Sequence, residues 1–211
     1  MGGSPTERVR AVYDAHARDH DRVFAVAEQR LLGHHREWAT SRAAGTVLEL
    51  AVGTGLGLPG YGHQVERVVG VDLSVQMLAV ARTRRHSLGL DDRVELRHGD
   101  VQALDLPGAC VDAVVATYAL CTIPGPGAAL AEARRVLRPG GRLLLVEHGP
   151  SSSRAVRALQ HLLDPATVRW QADHLLRDPR RLAVDAGFEV VEADRAGRAG
   201  LVHRVHARAP A

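Results

Sequence analysis

The sequence predicts an α/β fold: a mostly parallel, seven-stranded sheet with helices on both faces and an antiparallel hairpin at its C-terminal end. Three observations carry this. Short β-branched runs alternate with segments of helical periodicity through the middle of the chain, and that alternation gives parallel strands joined by right-handed crossovers. The first such run, TVLELAV, leads straight into a glycine-rich turn, GTGLGLPGYG. The last two runs are separated by too few residues for a crossover, so they must pair antiparallel.

Residues 5–38 carry apolar side chains at helical spacing (Val9, Val12, Tyr13 and Ala17, then Val23, Val26, Ala27 and Leu31) and read as two helices. Strands are expected at 46–50, 67–71, 94–98, 111–117 and 142–147. Helices are expected between them at 60–64, 75–88 and 128–137, the last stopped by Pro139 and Gly140-Gly141. Downstream, 154–163 and 166–176 read as separate helices, and 179–186 as a short one closed by Gly187. Strands at 188–193 and 201–207 then flank the turn 194–200.

No Pro/Gly/Ser linker interrupts the 211 residues, so one domain is expected. The hydrophobic share of 45% and charged share of 24% are those of an ordinary globular chain. No apolar run is long enough for a membrane helix, and MGGSPTERVR lacks the apolar centre of a signal peptide, which points to a soluble, cytoplasmic protein. Cys110 and Cys121 give no disulfide framework, and no cysteine or histidine spacing suits a metal. His34, His35, His203 and His206 accordingly read as surface residues. The formal charge is +3, and all 27 basic residues are arginine, with Lys and Asn absent and Ile123 the single isoleucine. That usage reflects GC-rich codons. The arginines are spread along the chain, whereas a nucleic-acid footprint must be clustered.

The run Gly55-Leu56-Gly57-Leu58-Pro59-Gly60 satisfies G-x-G-x-x-G, the dinucleotide turn. In that fold the first glycine sits at the strand end. Here the strand ends at Leu50 and the match begins only at Gly55, with Pro59 inside it, so the match is accidental. The better register is Glu49-Leu50-Ala51-Val52-Gly53-Thr54-Gly55.

That register resembles the first motif of class I S-adenosylmethionine-dependent methyltransferases of the type 11, ubiquinone/menaquinone-methyltransferase-like group. The resemblance implies a Rossmann-like methyltransferase fold, with S-adenosyl-L-methionine held by Glu49, Ala51, Gly53, Thr54 and Gly55 at the turn. Asp72, with Leu73 and Met77 behind it, stands where the family binds the ribose hydroxyls, roughly twenty residues after Glu49. Gly99, Asp100 and Val101 stand where the adenine is read, and Thr117 where carbonyls meet the cofactor's amino group. VYDAHARDHDRV is similar to the family's lid helix and brings Tyr13 and His20 to the cofactor; the alternative is a surface helix with one buried tyrosine. The resemblance thus divides the chain into a helical lid (1–44), a cofactor-binding core (45–150), a helical substrate cap (151–186) and the hairpin (187–211). Physics supports a ligand without phosphate. A carboxylate at Glu49 repels a pyrophosphate but attracts an ammonium or sulfonium, and Asp72 suits a diol through charge-assisted hydrogen bonds. Ala51 departs from the family's glycine, and a left-handed backbone there would cost about 1 kcal/mol or more.

Cys121, Tyr118 and His148 lie past the ends of the fourth and fifth strands, where substrate and methyl group should meet. Cys121 has the alternative of a buried space-filler, and His148 is the candidate general base, with Glu147 or Gly149 as structural orienters. His161, Asp164, Trp170 and His174 belong to the cap and form the candidate specificity segment. Ala116-Thr117-Tyr118-Ala119 is not the [DNS]-P-P-[YF] of base N-methylating enzymes, so a small-molecule acceptor is expected. GTGLGLPGY, ALCTIP and LLDP most resemble the methyltransferase-like seven group, which implies thiol S-methylation, without the N-terminal membrane anchor of those relatives. O-, C- or N-methylation of a phenol, quinone or phospholipid amine is the alternative, and a nicotinamide-dependent reductase the alternative from another class. A homodimer stays open.

Overall fold

The computed structural model describes residues 3–211. Three of the helix starts carry a side-chain cap. Helix α1 (Pro5–His16) opens with a full capping box between Ser4 and Glu7 and with Pro5 in its first turn. It is followed by α2 (His20–Ala27), a π-helical turn at Glu28–Leu32 and α3 (Arg36–Thr40), one helix more than the apolar spacing predicts. Strands β1 (Gly45–Leu50) and β2 (Val65–Asp72) come next, and then α4 (Val75–Ser87), capped by the Ser74 hydroxyl, which accepts from the Met77 amide. Strand β3 (Val94–His98), β4 (Val111–Thr117), α5 (Pro126–Val136) and β5 (Leu137–His148) complete the central layers. Helices α6 (Arg154–Gln171) and α7 (Pro179–Asp185) and strands β6 (Glu189–Ala196) and β7 (Val202–Arg208) close the chain.

Three expected boundaries change. No helix forms at 60–64: Pro59 and the glycines around it permit only a 3-10 turn at Leu58–Gly60, and β2 starts earlier. Pro139-Gly140-Gly141 ends α5 as expected but lies inside β5. There Val111 pairs with Leu137 and Ala113 with Arg142, so the intervening residues bulge out. Residues 154–171 form one helix across Pro165, whose exposed side leaves the freed carbonyl to water.

The sheet order is β3-β2-β1-β4-β5-β7-β6, with β7 antiparallel to both neighbours. Alternate residues feed two cores. Leu48, Leu50, Val114 and Leu145 face α5 and α7, whereas Val47, Val68, Val115 and Leu144 face α4 and the N-terminal helices. Each fully buried leucine among them contributes about 1.5–3 kcal/mol. The order reverses between β1 and β4, and the crevice at such a switch point, beyond the strand C-termini, is where open α/β sheets bind ligands.

Candidate active site

A cavity opens at that point, walled by the ends of β1, β2, β4 and β5 and roofed by α1 and α2. On the β1 side the turn is held in left-handed backbone at Ala51 (φ 48°), Gly53 (φ 56°) and Gly55 (φ 79°). Ala51 therefore carries the strain anticipated for it, and a Cβ on Gly55 would lie 2.8 Å from Leu58. Asp72 ends β2 and is buried. Its Oδ2 accepts from the Gly53 amide at 2.8 Å and its Oδ1 from the Ser74 amide at 2.8 Å, which aims the remaining lone pairs at the cavity. Burial pushes its pKa up, against those two hydrogen bonds.

Glu49 departs from expectation. It does not line the cavity; its carboxylate turns to Tyr61, whose hydroxyl donates at 2.9 Å. Burial drives its pKa up to about 7, opposed by that hydrogen bond and by Arg36. A Cβ on Gly57 would meet Glu49 Oε1 at 2.6 Å, so glycine is needed there for close approach. Gly55 also stands behind the wall, whereas Thr54 lines the cavity and its hydroxyl donates to Asp21 of the roof at 2.6 Å. The carboxylates that line the cavity at this end are those of Asp72 and Asp100, not Glu49.

Leu73, Met77, Gly99, Asp100, Val101 and Thr117 all line the cavity. Gln102 holds Asp100 through both its amide and its side chain, each at 2.9 Å. Thr117 accepts from Arg36 at 2.7 Å, and that guanidinium stacks on Phe24 and Tyr118.

The roof is latched by acids. Asp14 accepts from the Ser74 hydroxyl at 2.5 Å, and Asp21 pairs with Arg84 at 2.5 Å, tying α1 and α2 to α4. Tyr13 and His20 face the cavity beneath these latches, with ring centres 6.2 Å apart. Burial raises the Tyr13 pKa and lowers that of His20.

On the β4–β5 side, Tyr118 adopts φ 54°, lines the cavity, and is one of the few buried polar groups among the described residues without a hydrogen-bond partner. An unpartnered buried hydroxyl on a cavity-lining residue is available to a ligand. His148 Nε2 lies 2.9 Å from Asp173 Oδ1. Burial disfavours charge on this imidazole, but the hydrogen bond and charge of Asp173 outweigh it and raise the pKa. Cys121 joins them, the three donor atoms lying within 4.8 Å of one another. Burial, then Asp173, pushes its pKa well above the usual thiol range, which favours the alternative of a buried space-filler.

Neither Glu147 nor Gly149 orients His148. Glu147 accepts from the Ala119 and Leu120 amides at 2.9 and 3.1 Å and shapes the turn after β4. Two further expectations are corrected. His203 is buried against Gly149, with Nε2 3.1 Å from the Pro150 carbonyl. Trp170 and His161 point to solvent, not over the cavity. The residues that sequence reasoning missed are Asp173, Arg36, Ser74, Asp21 and Gln102. Only Ser74 had a local signal, as a serine preceding a helical run.

The reversed strand order and the carboxylates beside its crevice define an α/β fold with a ligand-sized cavity at the switch point. Residues 48–145 match the family described as "Methyltransferase domain". The chain is 37% identical over 159 residues to a phosphatidylethanolamine N-methyltransferase of Cereibacter sphaeroides, covering 74% of this chain and 76% of that protein. It is 28% identical over 189 residues to the ubiquinone/menaquinone biosynthesis C-methyltransferase UbiE of Shewanella frigidimarina, covering 76% and 75%. Among solved structures, a chain of the Haloferax volcanii complex between the Trm112 methyltransferase activator and a methyltransferase shares the fold. The TM-score is 0.75 at 21% identity, over 94% of this chain and 98% of that one. The protein belongs to the class I S-adenosylmethionine-dependent methyltransferases. Its cofactor is S-adenosyl-L-methionine, and the donor set fits: the buried carboxylate of Asp72 at the end of β2 and the half-buried one of Asp100 beyond β3 suit hydroxyl and amino donors.

Proposed function

We propose that the chain methylates the amine or phenol head of an amphiphilic small molecule, with His148 as general base. The observation that carries this is the His148–Asp173 hydrogen bond at the cavity wall. With Nε2–H donated to Asp173, Nδ1 keeps the lone pair that accepts the acceptor's proton. A thiol, with pKa near 8.5, needs little such help, whereas a phenol or ammonium near 10 does, so the dyad weighs against the thiol reading. The bound cofactor supplies an electrophilic methyl group on a cationic sulfur. Transfer of that methyl group to the acceptor's lone pair would leave the carbon–sulfur bonding pair on sulfur, and His148 would take the proton that the acceptor releases. Tyr118, kept as a neutral hydroxyl by burial, can hydrogen-bond the head group. The apolar wall of Val9, Val12, Val23, Phe24 and Ile123 suits an apolar body.

Asp72 and Asp100 would bind the ribose and adenine, and the latched α1–α2 roof would exclude water, which strengthens every polar interaction beneath it. The test is methyl transfer from labelled cofactor to three panels: ethanolamine phospholipids, phenols and quinols, and thiols. Label is expected in the first or second panel. Label confined to thiols overturns the reading. A phospholipid amine is favoured within it, since the apolar wall matches acyl chains and the curated relative with 37% identity carries that activity in its name.

A further inference from the structure

Helix α6 is anchored to the domain by two polar residues, Gln160 and Asp164, while its arginines stay exposed. Among its residues only Gln160 is buried, where its side chain accepts from the Ser151 amide at 2.8 Å and donates to the Gly149 carbonyl at 2.9 Å. Asp164, one turn on, accepts from the Leu175 amide at 2.7 Å. The opposite side carries Leu159, Leu162, Leu163 and Trp170, at 52%, 75%, 45% and 71% exposure. At 100° per residue these four fall on one stripe, with Ala155 and Ala166 between them. Arg169 borders the stripe on one side, and Arg154, Arg157 and His161 occupy the adjoining arc. The only acid of the helix is the inward Asp164.

An exposed leucine–tryptophan stripe bordered by arginines is the pattern of a helix lying in a membrane interface, where aliphatic side chains enter the acyl boundary and guanidinium groups reach anionic headgroups. No helix among the described residues is long and apolar enough to cross a membrane, so any such contact is peripheral. The position of α6 gives it a use. Its last residue, Gln171, lines the cavity, Ala172 turns the chain in left-handed backbone, and Asp173 follows at His148. Arg8 of α1 donates to the Val168 carbonyl at 2.8 Å and to that of Arg169, so the roof also sits on this helix end.

We infer that the α6 stripe docks the enzyme on an anionic phospholipid bilayer and sets the cavity mouth against the lipid surface. This deepens the amphiphilic-acceptor reading and is tested apart from it. The whole protein is floated with phosphatidylcholine vesicles containing roughly one-third phosphatidylglycerol, beside the variant carrying Leu162→Glu and Trp170→Glu. Both sites are solvent-exposed, so melting temperature and S-adenosylhomocysteine affinity should match the parent. The parent is expected to float, to lose binding as salt is raised, and to show a blue-shifted tryptophan emission; the variant should float at least about tenfold less. Absence of flotation by the parent, or equal flotation by the variant, overturns the inference. So does a parent dimer that the variant dissociates without either floating, since the stripe is then a contact between copies. If variant-sensitive flotation is seen while no amine or phenol is methylated, docking stands and the acceptor reading falls.

Discussion

The two halves of the cavity are built differently. The β1–β2 half is made of short-range parts: a strand end, a turn in left-handed backbone and a carboxylate fastened to amides of its own and the neighbouring loop. The β4–β5 half is assembled from Tyr118, Cys121, His148 and Asp173, which come from a loop, a strand end and the residues after α6. The first half therefore depends on the backbone path of one turn, whereas the second depends on side chains that packing brings together.

The largest effect that would separate the halves is expected from His148→Ala. It should lower kcat by about 10²–10⁴-fold while leaving the calorimetric affinity for S-adenosylhomocysteine unchanged. A matching loss of cofactor affinity would show that the halves are not independent. Asp173→Asn sharpens the point through pH. Because the folded-state pKa of His148 is raised, the rise of kcat/KM with pH should lie above the usual histidine range near roughly 6.5. Removing the Asp173 charge should move that limb to lower pH. An unmoved limb would assign the titration elsewhere.

On the cofactor side, Asp72→Ala should weaken cofactor binding tenfold or more, at least about 1.4 kcal/mol, with kcat at saturation less affected. Glu49→Gln tests a buried acid that serves the fold. Its folded pKa, pushed up to about 7, lies above that of the unfolded chain. Its neutral form therefore adds stability that is complete below about pH 4.3 and is lost as pH rises through about 7. Denaturant titrations should show a shallower decline across that window in the Gln variant. The smallest effect is expected at Ala51. Ala51→Gly relieves a left-handed alanine and should raise stability by up to about 1 kcal/mol, or about 2–4 °C in Tm. A lower Tm would mean that the methyl group packs usefully against the core below it.

Much of this was legible because it is local. All seven strands follow from β-branched runs, and the hairpin follows from the brevity of the turn at 194–200. The strain at Ala51 follows from its place in the motif. What was misplaced involves context. Pro165 reads as a break, yet its freed carbonyl faces water, so α6 continues. Pro139-Gly140-Gly141 reads as a stop, yet β4 pairs with β5 before and after it, Val111 with Leu137 and Ala113 with Arg142, so the strand carries the insertion as a bulge. Trp170 and His161 read as cap residues, yet Gln160 and Asp164 anchor one side of the helix and leave these two on its exposed flanks.

The amino-acid sequence by itself determined the strand order of events along the chain, the glycine turn and the acids at the strand ends, because backbone propensity and short spacing act within a few residues. Only the tertiary structure decided that Glu49 faces Tyr61 and not the ligand, that Asp173 meets His148, and that α6 presents its leucines to solvent. Those outcomes depend on which buried polar group finds a partner across the packed layers, and pairing of that kind is a property of distances in space that no local pattern encodes.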